Sequence, residues 1–335
     1  MCSSDDFLLA SEEFYVFAMH VVSIIGIPIH FFGAYVIIFK TPNKMASVKF
    51  SMLLLHSSSA FFDIYLSLLT TPVFLIPTTG LYPMGLLAKM GMRTDHQLYL
   101  GMSSVAVTGA SILGFFENRY NRLAMGDRKS TSRSVIRFIY IFLHYVQSFT
   151  YGIPAFLNIP DPEAGVQMVL QTISCVSQEV LHRKDFFVLA LDRTVFCLCI
   201  VYILAIPVSE IGLFCFGITY KLYRTASKSE NTYKMQKQFF LALCMQVSVP
   251  LLVLLFPAMY LVYALWKNYY NQALNNIAFI LLAIHGLLST VVMLSVHRPY
   301  RQQVINLFCC CNCRCNADYR RRKSESRVSV KQFVL

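Results

Sequence analysis

Seven long apolar segments dominate the chain. They run from Phe14 to Phe39, Val48 to Ile76, Gln97 to Asn118, Val135 to Leu157, Thr194 to Tyr220, Phe239 to Leu265 and Ala273 to Val296. Each reaches or exceeds the ~20 residues a helix needs to cross a bilayer core. Barrel strands would be half as long and would alternate in polarity. The pattern therefore predicts an all-α membrane protein, a seven-transmembrane helix bundle. Composition agrees, with 56% hydrophobic and 14% charged residues. So apolar a chain cannot cover a water-facing surface, and it has more apolar surface than a disordered chain would carry. Pro28, Pro72, Pro154, Pro207, Pro250 and Pro257 fall within the segments. Kinks are tolerated in a bundle because neighbouring groups satisfy the freed carbonyls.

Charge placement sets the expected orientation. The net charge is +12, and in a soluble protein that excess would point to nucleic acid. Here the basic residues cluster beside the spans and read as topology anchors. With the N-terminus outside, 23 of the 29 Lys and Arg fall in the cytoplasmic segments and six in the outer ones. The acidic start (Asp5, Asp6, Glu12, Glu13) agrees, and it differs from the basic start of a cleaved signal. The expected layout is an extracellular N-terminus over residues 1–13, a seven-span domain over 14–297 and a cytoplasmic tail over 298–335. In the longest outer connection, Asn158 to Arg193, the stretch Val166 to Leu181 could form a short amphipathic helix.

Three acids fall within or at the edge of spans: Asp63, Glu117 and Glu210. Ionisable groups in a bilayer are costly and face the bundle interior or water. His56 lies seven positions before Asp63, on the same helix face. A buried polar switch or ion site and a structural interhelical hydrogen bond both fit this pair. Glu210 stands beside Pro207 and Ser209 on the fifth span. At the inner end of the third span, Glu117-Asn118-Arg119-Tyr120 sets an acid beside an arginine. Such a pair can hold one conformation, and an arginine released from it can reach an intracellular partner. An interfacial anchor is the alternative.

After the seventh span, Tyr300, Val304, Leu307 and Phe308 repeat at helical spacing and predict a short amphipathic helix on the inner leaflet. Cys309, Cys310, Cys311, Cys313 and Cys315 follow and read as S-palmitoylation sites. A thiolate metal site competes, but the spacing lacks a second Cys or His pair. The run Arg320-Arg321-Arg322-Lys323 should contact anionic lipid. No catalytic set, metal site or cofactor motif is expected: His20, His30, His56, His144 and His285 are scattered without metal spacing, and phosphate-cradling loops and nucleophile elbows are absent from the sequence.

Several stretches together carry a resemblance. They are Phe115-Phe-Glu-Asn-Arg-Tyr-Asn121, Pro154-Ala-Phe-Leu-Asn-Ile-Pro160, Gln246-Val-Ser-Val-Pro-Leu-Leu252 with Pro257, and His285-Gly-Leu-Leu-Ser-Thr-Val291 continuing to His297-Arg-Pro-Tyr-Arg301. The chain resembles the nematode serpentine chemoreceptors of class H, over about residues 14 to 308. The resemblance implies a G-protein-coupled receptor of chemosensory neurons, in the plasma membrane or that of the cilium, with a heterotrimeric G protein as partner. It implies no ligand. Relative to rhodopsin-like receptors, the third span has no Cys at its outer end, so Cys175 lacks the usual disulfide partner. Asn118 separates Glu117 from Arg119, and the seventh span has no Asn-Pro-x-x-Tyr. Rhodopsin-like switching carries over only in outline.

A ligand-gated channel of the seven-span insect type would be N-in, against the charge asymmetry. Sparse intramembrane charge and the lack of internal repeats speak against a carrier or membrane enzyme. The chain holds 27 Phe and 19 Tyr, and no acid is expected in the outer half of a span. A small, neutral, weakly polar ligand held by apolar burial is the expectation. Phe256, Tyr260 and Tyr263 are the candidate contacts. The acidic connection Asn158 to Arg193 is a competing site for a cationic peptide.

Overall fold

A computed structural model describes residues 7–125, 131–173, 176–226 and 230–311. A short helix α1 (Phe7–Ala10) precedes α2 (Glu12–Lys40). The Ser11 side chain caps α2 by accepting from Phe14 N, with Glu12 and Glu13 in the first turn, where the helix dipole favours acids. Helix α3 (Ala46–Ile64) widens into a π-helical turn, Tyr65–Thr70, that ends at Thr71 with a left-handed φ of 40°. The second segment was expected to stay helical to Ile76. Instead the chain turns into strand β1 (Pro72–Leu75), which pairs antiparallel with β2 (Gly80–Pro83). Pro72 explains the change, since proline lacks the N–H that a continuing helix would need.

Next come α4 (Leu86–Lys89), α5 (Thr94–Met125) and α6 (Thr131–Thr150). The fourth segment, expected to reach Leu157, breaks at Tyr151-Gly152 and resumes as α7 (Ile153–Phe156), with Pro154 in its first turn. The following connection folds as α8 (Pro162–Thr172), α9 (Gln178–Leu181) and β3 (Phe187–Val188). Strand β3 completes a three-stranded sheet of order β1-β2-β3. The long helices α10 (Thr194–Ala226), α11 (Glu230–Lys267) and α12 (Gln272–Val296) follow, then α13 (Arg298–Cys311).

Among the described residues, five helices are long and apolar enough to cross a membrane: Glu12–Lys40, Val48–Thr70, Thr94–Leu123, Thr194–Arg224 and Gln272–Val296. Helix α6 carries Arg133 and Arg137 near its start, and the apolar part of α11 is Leu251–Lys267. Large side chains face outward, as lipid contact requires: Phe31 is 73% exposed and Phe216 73%. Helix α5 is central, packed against α3, α6 and α10, while α12 packs against α2, α3 and α11.

Among the described residues two large apolar cores result, beside a smaller cluster of Leu75, Val169, Ile173, Leu181 and Val188. One, at the sheet end, gathers Met19, Phe62, Leu98 and Leu282. The other, at the α13 end, gathers Val36, Met52, Leu113 and Met293.

Candidate functional site

A cavity of about 150 Å³ lies at the sheet end. Its walls are α3 and its π-turn, α5, α10, α11 and α12, and the β1–β2 hairpin lines it as well. Among the described residues no charged side chain lines it, and its polar members are Tyr65, Thr70, Thr94, Gln97 and Tyr151. The hairpin is tied down along its free edge. The Tyr15 hydroxyl donates to Pro72 O at 2.8 Å, Gln272 Nε2 to Phe74 O at 3.2 Å and Asn275 Nδ2 to Ile76 O at 2.9 Å. These carbonyls alternate along one side of β1 and the residue that follows it, the side turned away from β2. Capping them also blunts an edge that would otherwise pair with another strand. The Tyr82 hydroxyl donates to Glu12 Oε2 at 2.8 Å, and Arg183 stacks 4.7 Å from the Tyr82 ring centre. Burial and the Glu12 charge hold the Tyr82 hydroxyl well above its ordinary pKa.

The candidate ligand contacts on the sixth span sit elsewhere. Phe256 is 61% exposed and Tyr263 55%, both on the outward face, and the Tyr260 hydroxyl donates to Asn275 Oδ1 at 2.9 Å. Helix phase is the reason. Leu254, Ala258, Leu261 and Leu265 recur at i, i+4, i+7 and i+11 and turn the other face of α11 into the cavity.

Below the cavity, between the two cores, Asp63 is buried at 3% exposure. Its Oδ1 lies 2.8 Å from His285 Nδ1 and its Oδ2 3.3 Å from His30 Nε2. Gly286 N and Leu287 N donate to the same carboxylate at 3.1 and 2.6 Å. His285 Nδ1 also lies 3.0 Å from Leu282 O, and both neighbours only accept, so Nδ1 carries a proton. His56 donates from Nε2 to His30 O at 2.9 Å. The Thr290 hydroxyl donates to Gly286 O at 2.8 Å and sits 3.3 Å from both His30 Nδ1 and His56 Nδ1. The cluster ties α2, α3 and α12 together. Gly286 permits the approach, because a Cβ there would stand 2.7 Å from Ser59 O and 2.9 Å from Asp63 Oδ2. His56 shares the cluster with Asp63, as their common face implied, but reaches it through His30 and Thr290.

At the inner end of α5 the acid has another partner than the expected one. Glu117 is bound by Arg137 of α6, whose Nε and guanidinium nitrogen Nη2 donate at 2.6 and 2.8 Å. Glu117 and Arg119 are two residues apart and so point to different faces of the helix. Asn118 Nδ2 donates to Ser51 Oγ at 3.1 Å. The Tyr120 ring packs 5.6 Å from that of Phe214. Glu210 faces α6 as well: the Tyr140 hydroxyl donates to its Oε2 at 3.1 Å, and His144 Nε2 lies at 3.2 Å.

Helix α13 forms where the amphipathic repeat predicts it. Tyr300 is fully buried and its hydroxyl shares a 2.8 Å hydrogen bond with Thr41 Oγ1, while Val304 packs on the adjoining core. Cys309, Cys310 and Cys311 fall in its last turn. Cys313, Cys315 and the basic run 320–323 lie outside the described residues, as does Cys175.

Sequence reasoning missed His30, His285 and Thr290 as partners of Asp63. Matching depth would have found them, since each histidine stands near the middle of its span. Gln97 was treated only as a segment boundary.

The sequence profile of the serpentine-type seven-transmembrane GPCR chemoreceptors, class Srh, matches residues 10–310. The chain is also similar to serpentine receptor class H-72 of Caenorhabditis elegans, 26% identical over 310 residues that cover 92% of this chain and 89% of that one. With a bundle of membrane-length apolar helices and a family match across nearly its whole length, the chain is a multi-pass membrane protein that belongs to the Srh family of serpentine chemoreceptors.

Proposed function

We propose that the chain is a chemosensory G-protein-coupled receptor that takes a small, neutral, weakly polar molecule into the cavity beneath the hairpin. The observation that carries this reading is the cavity itself: about 150 Å³, room for a small organic ligand, lined by five helices and, among the described residues, by no charged side chain. An ammonium or carboxylate ligand would lose its hydration there with no counter-charge in return. Binding stabilises one arrangement of the surrounding helices and so shifts an existing equilibrium. The acidic outer connection, the alternative site for a cationic peptide, is served less well by the geometry, because Asp185 is already engaged by Arg183 at 3.0 Å.

In this reading the N-terminus is outside and the tail cytoplasmic, as the distribution of Lys and Arg supports. Glu117, Asn118, Arg119 and Tyr120 then lie at the face that meets the heterotrimeric G protein, with the Glu117–Arg137 pair holding α5 against α6 at rest. Acyl chains on the tail cysteines and anionic lipid at the basic run anchor α13. The test is expression in cells with a G-protein reporter, screened against neutral volatile and lipid-derived molecules while membrane current is recorded. A G-protein response without current supports the receptor. Ligand-evoked current that persists when G proteins are blocked would favour a channel.

A further inference from the structure

Around the cavity, the polar hydrogens are already spoken for. The Tyr65 hydroxyl donates to Gln97 O at 2.6 Å, and that of Tyr151 to Met102 O at 2.8 Å. Thr70 Oγ1 donates to Tyr65 O at 2.9 Å and Thr94 Oγ1 to Asp185 O at 2.7 Å. Gln97 Nε2 donates to Met92 O at 2.8 Å. That last bond fixes the amide, since a flipped Gln97 would set two carbonyl oxygens against each other. Its Oε1 is thus the free end. Gln97 is 3% exposed, and among the described residues no protein group donates to Oε1. Gln97, Tyr65 and Tyr151 all line the cavity, and the acceptor capacity left in its wall lies on Gln97 Oε1 and on the two hydroxyl oxygens. The second Nε2 hydrogen of Gln97 is the one side-chain donor left over.

We infer that this cavity selects ligands with a hydrogen-bond donor, an alcohol-type O–H or an N–H on an otherwise apolar body, through the unpartnered Oε1 of Gln97. The inference rests on the reading of the cavity as the ligand site. An alcohol satisfies a buried acceptor that no group among the described residues satisfies. A ketone or ether of the same shape brings only further acceptors and leaves Oε1 unpaired, the more costly of the two outcomes in an apolar surround.

The experiment uses the full-length receptor, both in reporter cells and purified in detergent for ligand-induced thermal stabilisation. The probes are hexanol, octanol and decanol, each beside its matching ketone and methyl ether. The alcohol is expected to bind about tenfold more tightly than its ether. In Gln97→Leu the ratio should collapse to about one, with ether binding kept. Ethers or ketones that match the alcohols on the wild-type receptor overturn the inference, with no variant needed. So does an alcohol preference that survives Gln97→Leu. Ala258→Phe, which fills the cavity from α11, separates the two levels of failure. If it blocks every probe while the alcohol-to-ether ratio is flat, the selectivity fails and the site stands. If it blocks none, or if no probe binds the wild-type receptor, the cavity is not the site and both readings fall.

Discussion

Asp63 of the second span and His285 of the seventh meet at 2.8 Å, and the same carboxylate takes the main-chain N–H groups of the two residues that follow His285. A helix interior seldom has N–H groups to give, so this carboxylate is inserted into the hydrogen-bond ladder of its neighbour. Removing it leaves buried donors behind. Asp63→Ala is expected to lower stability by ~3 kcal/mol or more, whereas Asp63→Asn keeps an acceptor and loses less. Thermal melting of the two purified variants checks this, and equal losses would refute the ladder role.

Gly286 is the companion of that contact. Gly286→Ala places a methyl 2.7 Å from the Ser59 carbonyl. The helices must part, at a cost of ~1–3 kcal/mol. A melting temperature unchanged from wild type would mean that α12 shifts freely.

The Glu117–Arg137 pair joins two helices with both guanidinium bonds made. A double-mutant cycle of Glu117→Gln and Arg137→Met should give a coupling of ~1–2 kcal/mol. Each single variant is expected to raise basal G-protein signalling. Arg119→Ala should abolish signalling with surface expression largely intact. Basal activity untouched by either change would leave the pair a structural staple.

His297, just past the end of α12, has its pKa lowered to about 4 by burial, from an ordinary 6.5. The unfolded chain therefore binds more protons than the folded one between these values, and stability falls as pH falls through that window. Melting of the purified receptor from pH 7 to pH 4.5 should show a shallower decline in His297→Gln than in wild type. Identical slopes would place the loss on other histidines.

The spans were legible because a bilayer writes length and hydropathy directly into sequence. So was α13, through Tyr300 and Val304. What escaped was set by tertiary neighbours. Asp63 stood out as a buried acid, yet nothing in spacing could pair it with residues more than two hundred positions away. Glu117 and Arg119 looked like partners because they are close in sequence, but two residues along a helix is the wrong separation. On the sixth span, aromatic size drew the eye to Phe256 and Tyr263, whereas the cavity face is made of smaller residues in a different phase. The sheet was hidden because β1 continues an apolar run, with Pro72 the single mark of its end.

The hairpin latched by Tyr15, Gln272 and Asn275 bears on timing. If the proposed ligand enters past this hairpin, releasing three hydrogen bonds of ~1 kcal/mol each would leave the way open for roughly one part in a hundred of the time. A gate of this kind slows arrival and departure by the same factor and leaves the equilibrium constant alone. A molecule that has passed it stays longer than its affinity through an open mouth would allow, and a brief pulse of stimulus is stretched into a longer occupancy.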